Sequence, residues 1–392
     1  MKITKIETLH CDAGWRPWSF IKIETDEDIT GWSETTDSHG SQRGMEGIVR
    51  DLEPLLLGRD PRPVERIYQD LYRQTRQTPY GLIQKALGGI ENALLDIKAK
   101  ALGVPVYELF GGPLRDSLRL YWSHCGTTRA RAWKVTGNKP LRSYEDVAEL
   151  GSEVAERGFT ALKTNIVVPS ENPSVYMPGF GGGLGTTDQT ASREILTAIE
   201  KLISAFRKGA GPDIDICLDL NFNFKPEGCV RVAKAIEQHD LFWLETDIFD
   251  PLALRMVKDK CSMPICSGEN LYTTRQFLPF FTCHAMDTAS VDVIWNGLSQ
   301  SKKISDLAEI HEINVAPHNY YGHLATMIGA HFCAIVPNLR IFETDVDDVP
   351  WKDELVTAVP EIENGHMKLP TAPGWGADIN EDVLRAHPWP KG

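Results

Sequence analysis

Apolar and polar positions alternate with a period of two over residues 3–8, 18–25 and 29–34. That period predicts a three-stranded antiparallel meander, with Asp26-Glu27-Asp28 making its second turn. The period then becomes helical. Residues 41–57 carry apolar side chains at helical spacing and stop at Gly58 and Pro61. Residues 63–74 form a second amphipathic helix, and residues 80–102 a third that ends at Gly103 and Pro105. A small sheet followed by helices predicts an α+β domain over residues 1–113.

From residue 114 short apolar runs alternate with helical stretches. The candidate strands are 118–123, 160–165, 213–219, 242–245, 264–267, 285–292, 314–317 and 340–343. Eight strands interleaved with helices predict an α/β barrel over residues 114–345 rather than an open doubly wound sheet. No Gly-x-Gly-x-x-Gly follows an early strand, as a dinucleotide fold requires. Residues 346–392, rich in Pro, Gly and Trp, look too irregular to extend the barrel and are expected to pack back on the first domain.

Two insertions break the alternation, and both follow strands, which places both at the mouth of a barrel. Residues 124–143 carry Arg129, Arg131, Lys134 and Lys139. Residues 167–191 contain a glycine-rich run at 179–183 without the Lys-Ser/Thr of a phosphate loop, which reads as a flap or a subunit contact. In the first domain, Trp15 and Arg16 lie between the first two strands. They form either a lid that recognises a carboxylate or an ordinary hairpin connection.

Composition narrows the function classes. The net charge of −13 argues against a nucleic-acid or anionic-membrane surface. It leaves room for an anionic substrate, because a bound metal reverses the local field. No run approaches the ~20 apolar residues of a membrane span. The N-terminal stretch lacks a signal-peptide core, and the eight cysteines show no paired spacing, which together point to a cytoplasmic protein with reduced thiols.

Three apolar phrases end abruptly in a carboxylate, at Asp219, Glu245 and Glu269, with spacings of 26 and 24 residues. That spacing holds one strand, one helix and two loops. One such acid reads as a helix N-cap, but three in step would repel one another unless a hard divalent cation lay between them, and oxygen-only ligation favours Mg²⁺. Other strand ends are polar too: Lys163 and Asn165 on the second, Asp292 on the sixth, His318 and Asn319 on the seventh, Glu343 on the eighth. A His on one strand end beside an Asp on the preceding one is placed for a dyad in which the carboxylate fixes the imidazole tautomer.

With these residues in place, the sequence resembles the enolase superfamily, specifically the mandelate racemase subgroup that contains the acid-sugar dehydratases. The likeness rests on Gly31-Trp-Ser-Glu34, Leu57-Gly-Arg-Asp-Pro61 and Gly89-Ile-Glu-Asn-Ala-Leu-Leu-Asp96, and on the barrel carboxylates with Asp292 and His318. It implies an N-terminal α+β capping domain over a modified (β/α)₇β barrel, and one Mg²⁺ per subunit held by Asp219, Glu245 and Glu269. It further implies proton abstraction alpha to a substrate carboxylate, with Lys163 and Glu343, protonated or sharing a proton, helping to stabilise the developing dianion. Asn221 is a substrate or supporting contact. The subgroup usually has a second basic lysine where this chain has Asn165, so the His318 face alone carries an evident base. One base suits dehydration of a sugar acid to a 2-keto-3-deoxy acid, with His318, Tyr121, His124 or a flap residue as the acid for the leaving hydroxyl. An epimerase or cycloisomerase on the same scaffold is the alternative, and a metal-binding homologue without turnover the third reading. The resemblance also implies a homo-oligomer acting on a small-molecule carboxylate.

Overall fold

The computed structural model describes residues 1–37, 40–178 and 190–389. The chain opens with the antiparallel meander β1 (Ile3–Asp12), β2 (Pro17–Thr25) and β3 (Thr30–Glu34). Helices α1 (Gln42–Leu52), α2 (Val64–Thr75) and α3 (Leu82–Leu102) follow. The first is shorter than its apolar pattern predicts, because Pro54 follows and the chain tightens into a 3₁₀ turn at Glu53–Leu55. Gly103, in the left-handed conformation, ends α3.

Eight strands then close a barrel. They are β4 (Ser117–Ser123), β5 (Ala161–Thr164), β8 (Asp215–Asp219), β9 (Trp243–Glu245), β10 (Ile265–Ser267), β11 (Thr288–Ala289), β12 (Asn314–Val315) and β13 (Phe342–Asp345), all paired parallel. A parallel bridge from Val315 to Leu339 completes the ring between β12 and β13. The connecting helices are α6 (Tyr144–Glu156), α7 (Arg193–Ala210), α8 (Pro226–Ile236), α9 (Pro251–Lys258), α10 (Thr273–Thr282), α12 (Leu298–Ile310) and α13 (His323–Ile335), giving a (β/α)₇β order. Short helices α4 (Thr127–Arg131) and α5 (Trp133–Thr136) fill the first insertion, and α11 (Val293–Asn296) precedes α12. In the second insertion a small hairpin, β6 (Val167–Val168) and β7 (Ser174–Val175), is described. The glycine run at 179–183 lies outside the described residues.

The chain after Asp345 departs from expectation in one respect. It contacts the first domain, with the Trp375 indole N–H donating to the Trp32 carbonyl at 2.9 Å and Lys22 pairing with Glu381 of α14 (Glu381–Ala386) at 2.6 Å. It also forms a hairpin, β14 (Ile362–Glu363) and β15 (His366–Lys368), that adds antiparallel to the start of β4. Short strands around Asn364-Gly365 supply that turn; alternation over two or three residues is too brief to register in the sequence.

Period two along the strands explains what fills the barrel. Tyr121, Ala161, Cys217, Trp243, Cys266, Ala316 and Ile341 form a separate buried apolar cluster. Two residues further along their strands stand Ser123, Lys163, Asp219, Glu245, His318 and Glu343. Alternate residues share a face, so an apolar plug lies directly beneath a polar layer. The first domain is fastened over this assembly. Glu34 accepts hydrogen bonds from the Gly322 and Ala325 amides at 2.9 and 3.0 Å, capping α13. Gly88 of α3 passes so close to the backbone at Trp295 that an added Cβ would meet a carbonyl oxygen at 2.6 Å. All eight cysteines are free thiols, and no helix among the described residues is long and apolar enough to cross a membrane.

Candidate active site

A cavity of about 270 Å³ opens where the barrel strands end. Its walls include Lys163, Asn165, Asp219, Asn221, Glu269, His318 and Glu343 from the barrel, His124 from the first insertion, and Trp15 from the β1–β2 loop. Glu245 lies in register with Asp219 on the neighbouring strand, so both side chains point to the same side.

His318 and Asp292 form the expected dyad through a bridge between adjacent strand ends. The imidazole Nδ1 lies 2.7 Å from Asp292 Oδ2, which also accepts from the Tyr321 hydroxyl at 2.5 Å. The other Asp292 oxygen accepts the Trp295 amide, making Asp292 the N-cap of α11. With Nδ1–H donated to Asp292, Nε2 faces the cavity, 3.2 Å from Glu269 Oε2. Burial opposes charge on this ring, but Glu269, then the Asp292 hydrogen bond, raise its pKa to about 10. Tyr321 was not anticipated; its place three residues after His318 is the one available signal.

Asn165 occupies the face where a second base would stand. Its amide nitrogen donates to Asp219 Oδ2 at 2.9 Å and to Asn221 Oδ1 at 3.2 Å, while its oxygen accepts from Thr127 at 2.9 Å. Asn221 adopts a left-handed backbone (φ 50°), which folds both its amide N–H and its Nδ2 back onto Asp219.

Two expectations need correction. Glu343 is not a protonated donor. Burial pushes its pKa up, but Lys163 Nζ at 2.8 Å, together with the His318 charge, holds it down to about 2. Its oxygens also accept from Ser123 Oγ at 2.5 Å and the Asn319 amide at 2.6 Å, so every neighbour treats it as a carboxylate. Tyr121 is not a cavity residue either. It belongs to the apolar plug, edge-on to Trp243, and Ser123, two positions on, reaches the polar layer in its place.

The β1–β2 loop divides its two candidates. Trp15 lines the cavity. Arg16 lies behind it, 2% exposed, bonded to Asp345 Oδ2 at 2.9 Å and Asp348 Oδ2 at 2.6 Å. The guanidinium expected to hold a substrate carboxylate therefore pins the loop to the end of β13. His124 pairs with Asp345 at 3.0 Å, and burial lowers its pKa. Arg131, at the end of α4, stacks over Trp15 at 4.1 Å and lines the cavity. Lys85 of α3 also reaches it, paired with Asp37.

The three carboxylates fit a divalent cation in kind. Burial and mutual repulsion raise all three: Asp219 reaches about 6, with Glu269 adding to the burial effect, and Glu245 and Glu269 are also raised. Glu245 Oε1 is buried with no hydrogen-bond partner among the described residues, as is Oδ2 of nearby Asp247. Such an excess of buried negative charge calls for a cation. The side chains do not, however, close on one point. Among the described residues no three His, Cys, Asp or Glu groups are arranged to hold a metal, and Glu269 turns instead toward His318.

This architecture is that of the enolase superfamily: residues 145–383 match the enolase C-terminal domain-like family. Residues 11–111 match the mandelate racemase / muconate lactonizing enzyme N-terminal domain. The chain belongs to the mandelate racemase/muconate lactonizing enzyme family. A D-xylonate dehydratase of Haloferax volcanii is 28% identical, over 98% of this chain and 89% of that protein. A D-galactonate dehydratase of Verminephrobacter eiseniae is likewise 28% identical, over 98% of this chain and 94% of the relative. A Burkholderia xenovorans protein, provisionally described as an L-alanine-DL-glutamate epimerase, is 45% identical; its crystal structure superposes with a TM-score of 0.96, over 100% of this chain and 99% of that one. A second structure of it, with a TM-score of 0.95 and covering 99% of this chain and 96% of that one, is bound to magnesium and fumarate.

Proposed function

We propose that the enzyme dehydrates a sugar acid, taking the proton alpha to the carboxylate and expelling the beta hydroxyl to give a 2-keto-3-deoxy acid. One observation carries this reading: the His318–Asp292 dyad stands at one strand end, while Asn165, where the subgroup's second base would stand, is an amide committed to Asp219, Asn221 and Thr127. Epimerisation by two bases needs a proton acceptor on both faces, and an amide accepts none at neutral pH. The Burkholderia relative's name favours the epimerase alternative, but Asn165 weighs against it.

Asp219, Glu245 and Glu269 would hold Mg²⁺, and the bound magnesium of that relative supports this assignment. The cation supplies charge that neutralises the substrate carboxylate as negative charge builds on it. His318 Nε2, the nitrogen opposite Asp292, is the atom that would accept the alpha proton, and a metal holding Glu269 would take from it the neighbour that most favours its imidazolium form. Lys163, buried against Glu245 and Glu343, provides a fixed positive charge at the enolate oxygens. The imidazolium of His318 then returns its proton to the departing hydroxyl, water leaves, and the enol loses its hydroxyl proton as the beta carbon gains one, giving the keto acid.

The test is a panel of acid sugars incubated with Mg²⁺ in D₂O. The expected result is 2-keto acid from at least one of them, with no build-up of the inverted substrate epimer. Deuterated epimer without keto acid would replace this reading with the epimerase.

A further inference from the structure

Among the described residues, each basic side chain around the cavity faces a carboxylate, with one exception. Lys85 pairs with Asp37, Lys163 with Glu343, His124 with Asp345, and His318 with Asp292. Arg131 has no acidic partner among the described residues. It touches the Trp15 ring at 4.1 Å and Met177 Sδ, 3.9 Å from Nη1, while the charge of Asp345, already bonded to Arg16 and His124, acts on it from further off. Its Nε–H is buried without an acceptor among the described residues, and so is the indole N–H of Trp15. Both residues line the cavity, so what Arg131 can offer a ligand there is the rest of its guanidinium, stacked on the Trp15 ring. Burial, and the charge of Arg16 on the other side of Trp15, lower the Arg131 pKa to about 10, which leaves it charged at neutral pH.

The guanidinium is held in position from below. Arg129, two residues earlier on α4, bonds Asp347 at 2.8 Å and Glu153 at 2.7 Å, and Thr127 bonds Asn165. A half-buried guanidinium that lines a cavity and forms no ion pair is a ready partner for an anion, and its terminal N–H groups match a carboxylate. The carboxylate next to the reacting carbon is not that anion. In the proposed reaction it belongs with Lys163 and the acidic strand ends.

We propose that Arg131, held against the Trp15 ring, binds a second carboxylate at the far end of the substrate, so that the substrate is a diacid of the aldaric class. This assignment rests on the sugar-acid reading above and narrows it.

The test uses the Mg²⁺-loaded full chain and six-carbon acid sugars in matched pairs, each aldaric acid beside the aldonic acid of the same hydroxyl configuration. Dissociation constants come from calorimetry, and keto acid is followed separately. The wild type should bind the diacid of at least one pair more tightly than its monoacid. Arg131→Met should weaken that diacid roughly tenfold to hundredfold, the loss of a charge-assisted contact, and weaken the monoacid much less. Arg131→Lys, which keeps the charge, should recover part of the loss and shows that the effect is not misfolding. Equal binding of both members of every pair, no binding of either, or equal weakening of both by Arg131→Met would overturn the proposal. Diacid binding that depends on Arg131 but yields no keto acid would refute dehydration and leave this site standing. Keto acid from monoacids alone would do the reverse.

Discussion

His318 lies between two carboxylates with opposite consequences for a base. Asp292 on Nδ1 fixes the tautomer that presents Nε2 to the cavity, whereas Glu269 at 3.2 Å favours keeping a proton there. Replacing His318 by Asn removes the base but not the acidic strand ends. Turnover should fall by at least roughly 10²–10⁴-fold, while Mg²⁺ affinity measured by calorimetry stays as in the wild type. Glu245→Gln should do the converse, losing the cation and activity together; a variant that still binds Mg²⁺ at wild-type strength would remove Glu245 from the ligand set. Tyr321 acts through Asp292 rather than on substrate. Without its hydroxyl the Asp292 charge is less shared, His318 holds its proton to higher pH, and the acid limb of the rate profile of Tyr321→Phe should shift upward. An unshifted profile would make Tyr321 a packing residue only.

Element by element, what the chain declares in advance is what depends on local period. The eight barrel strands were legible because buried parallel strands read as short apolar runs, and the polar strand ends because each run stops abruptly. Direction in space was not legible. Trp15 and Arg16 are neighbours, yet one faces the cavity and the other is bonded to Asp345 and Asp348, residues 329 and 332 positions away. Arg129 and Arg131 divide the same way on α4, and only the partners Asp347 and Glu153 reveal which is structural. Tyr121 failed for a related reason: its strand end was placed correctly, but the plug ends at Tyr121 and the polar layer begins two residues later. Glu34 shows how a motif residue in one domain serves an element of the other. Its carboxylate caps α13, the helix that follows the His318 strand end. Glu34→Ala leaves two buried amides unpaired and should cost about 1–3 kcal/mol in urea unfolding. A loss confined to a few tenths would mean that water replaces the cap.

At the scale of the whole molecule, the barrel, the first domain and the tail meet at one buried imidazole. His331 of α13 accepts the Tyr107 amide on Nδ1 at 3.1 Å and directs Nε2 at the Trp375 carbonyl at 3.2 Å. The ring also packs on both aromatic side chains. Because Nδ1 must accept, the proton belongs on Nε2, and a second proton would set two N–H groups against each other. Burial lowers the pKa to about 3, only partly offset by the Trp375 carbonyl. The sign follows from proton counts. Between about 3 and the unfolded value near 6.5, the unfolded chain binds a proton that the folded chain refuses, so stability rises with pH across that window. Lowering the pH from 6.5 therefore removes about 1.4 kcal/mol per unit through this one group. His331→Gln can keep an acceptor and a donor without titrating. Near pH 7 it should be less stable than the wild type, because the packed ring is gone. The difference in urea midpoint should then shrink as the pH falls below 6.5, since the wild type alone carries the penalty. A difference that stays constant from pH 7 to pH 4 would show that His331 takes up its proton without disturbing the junction of barrel, first domain and tail.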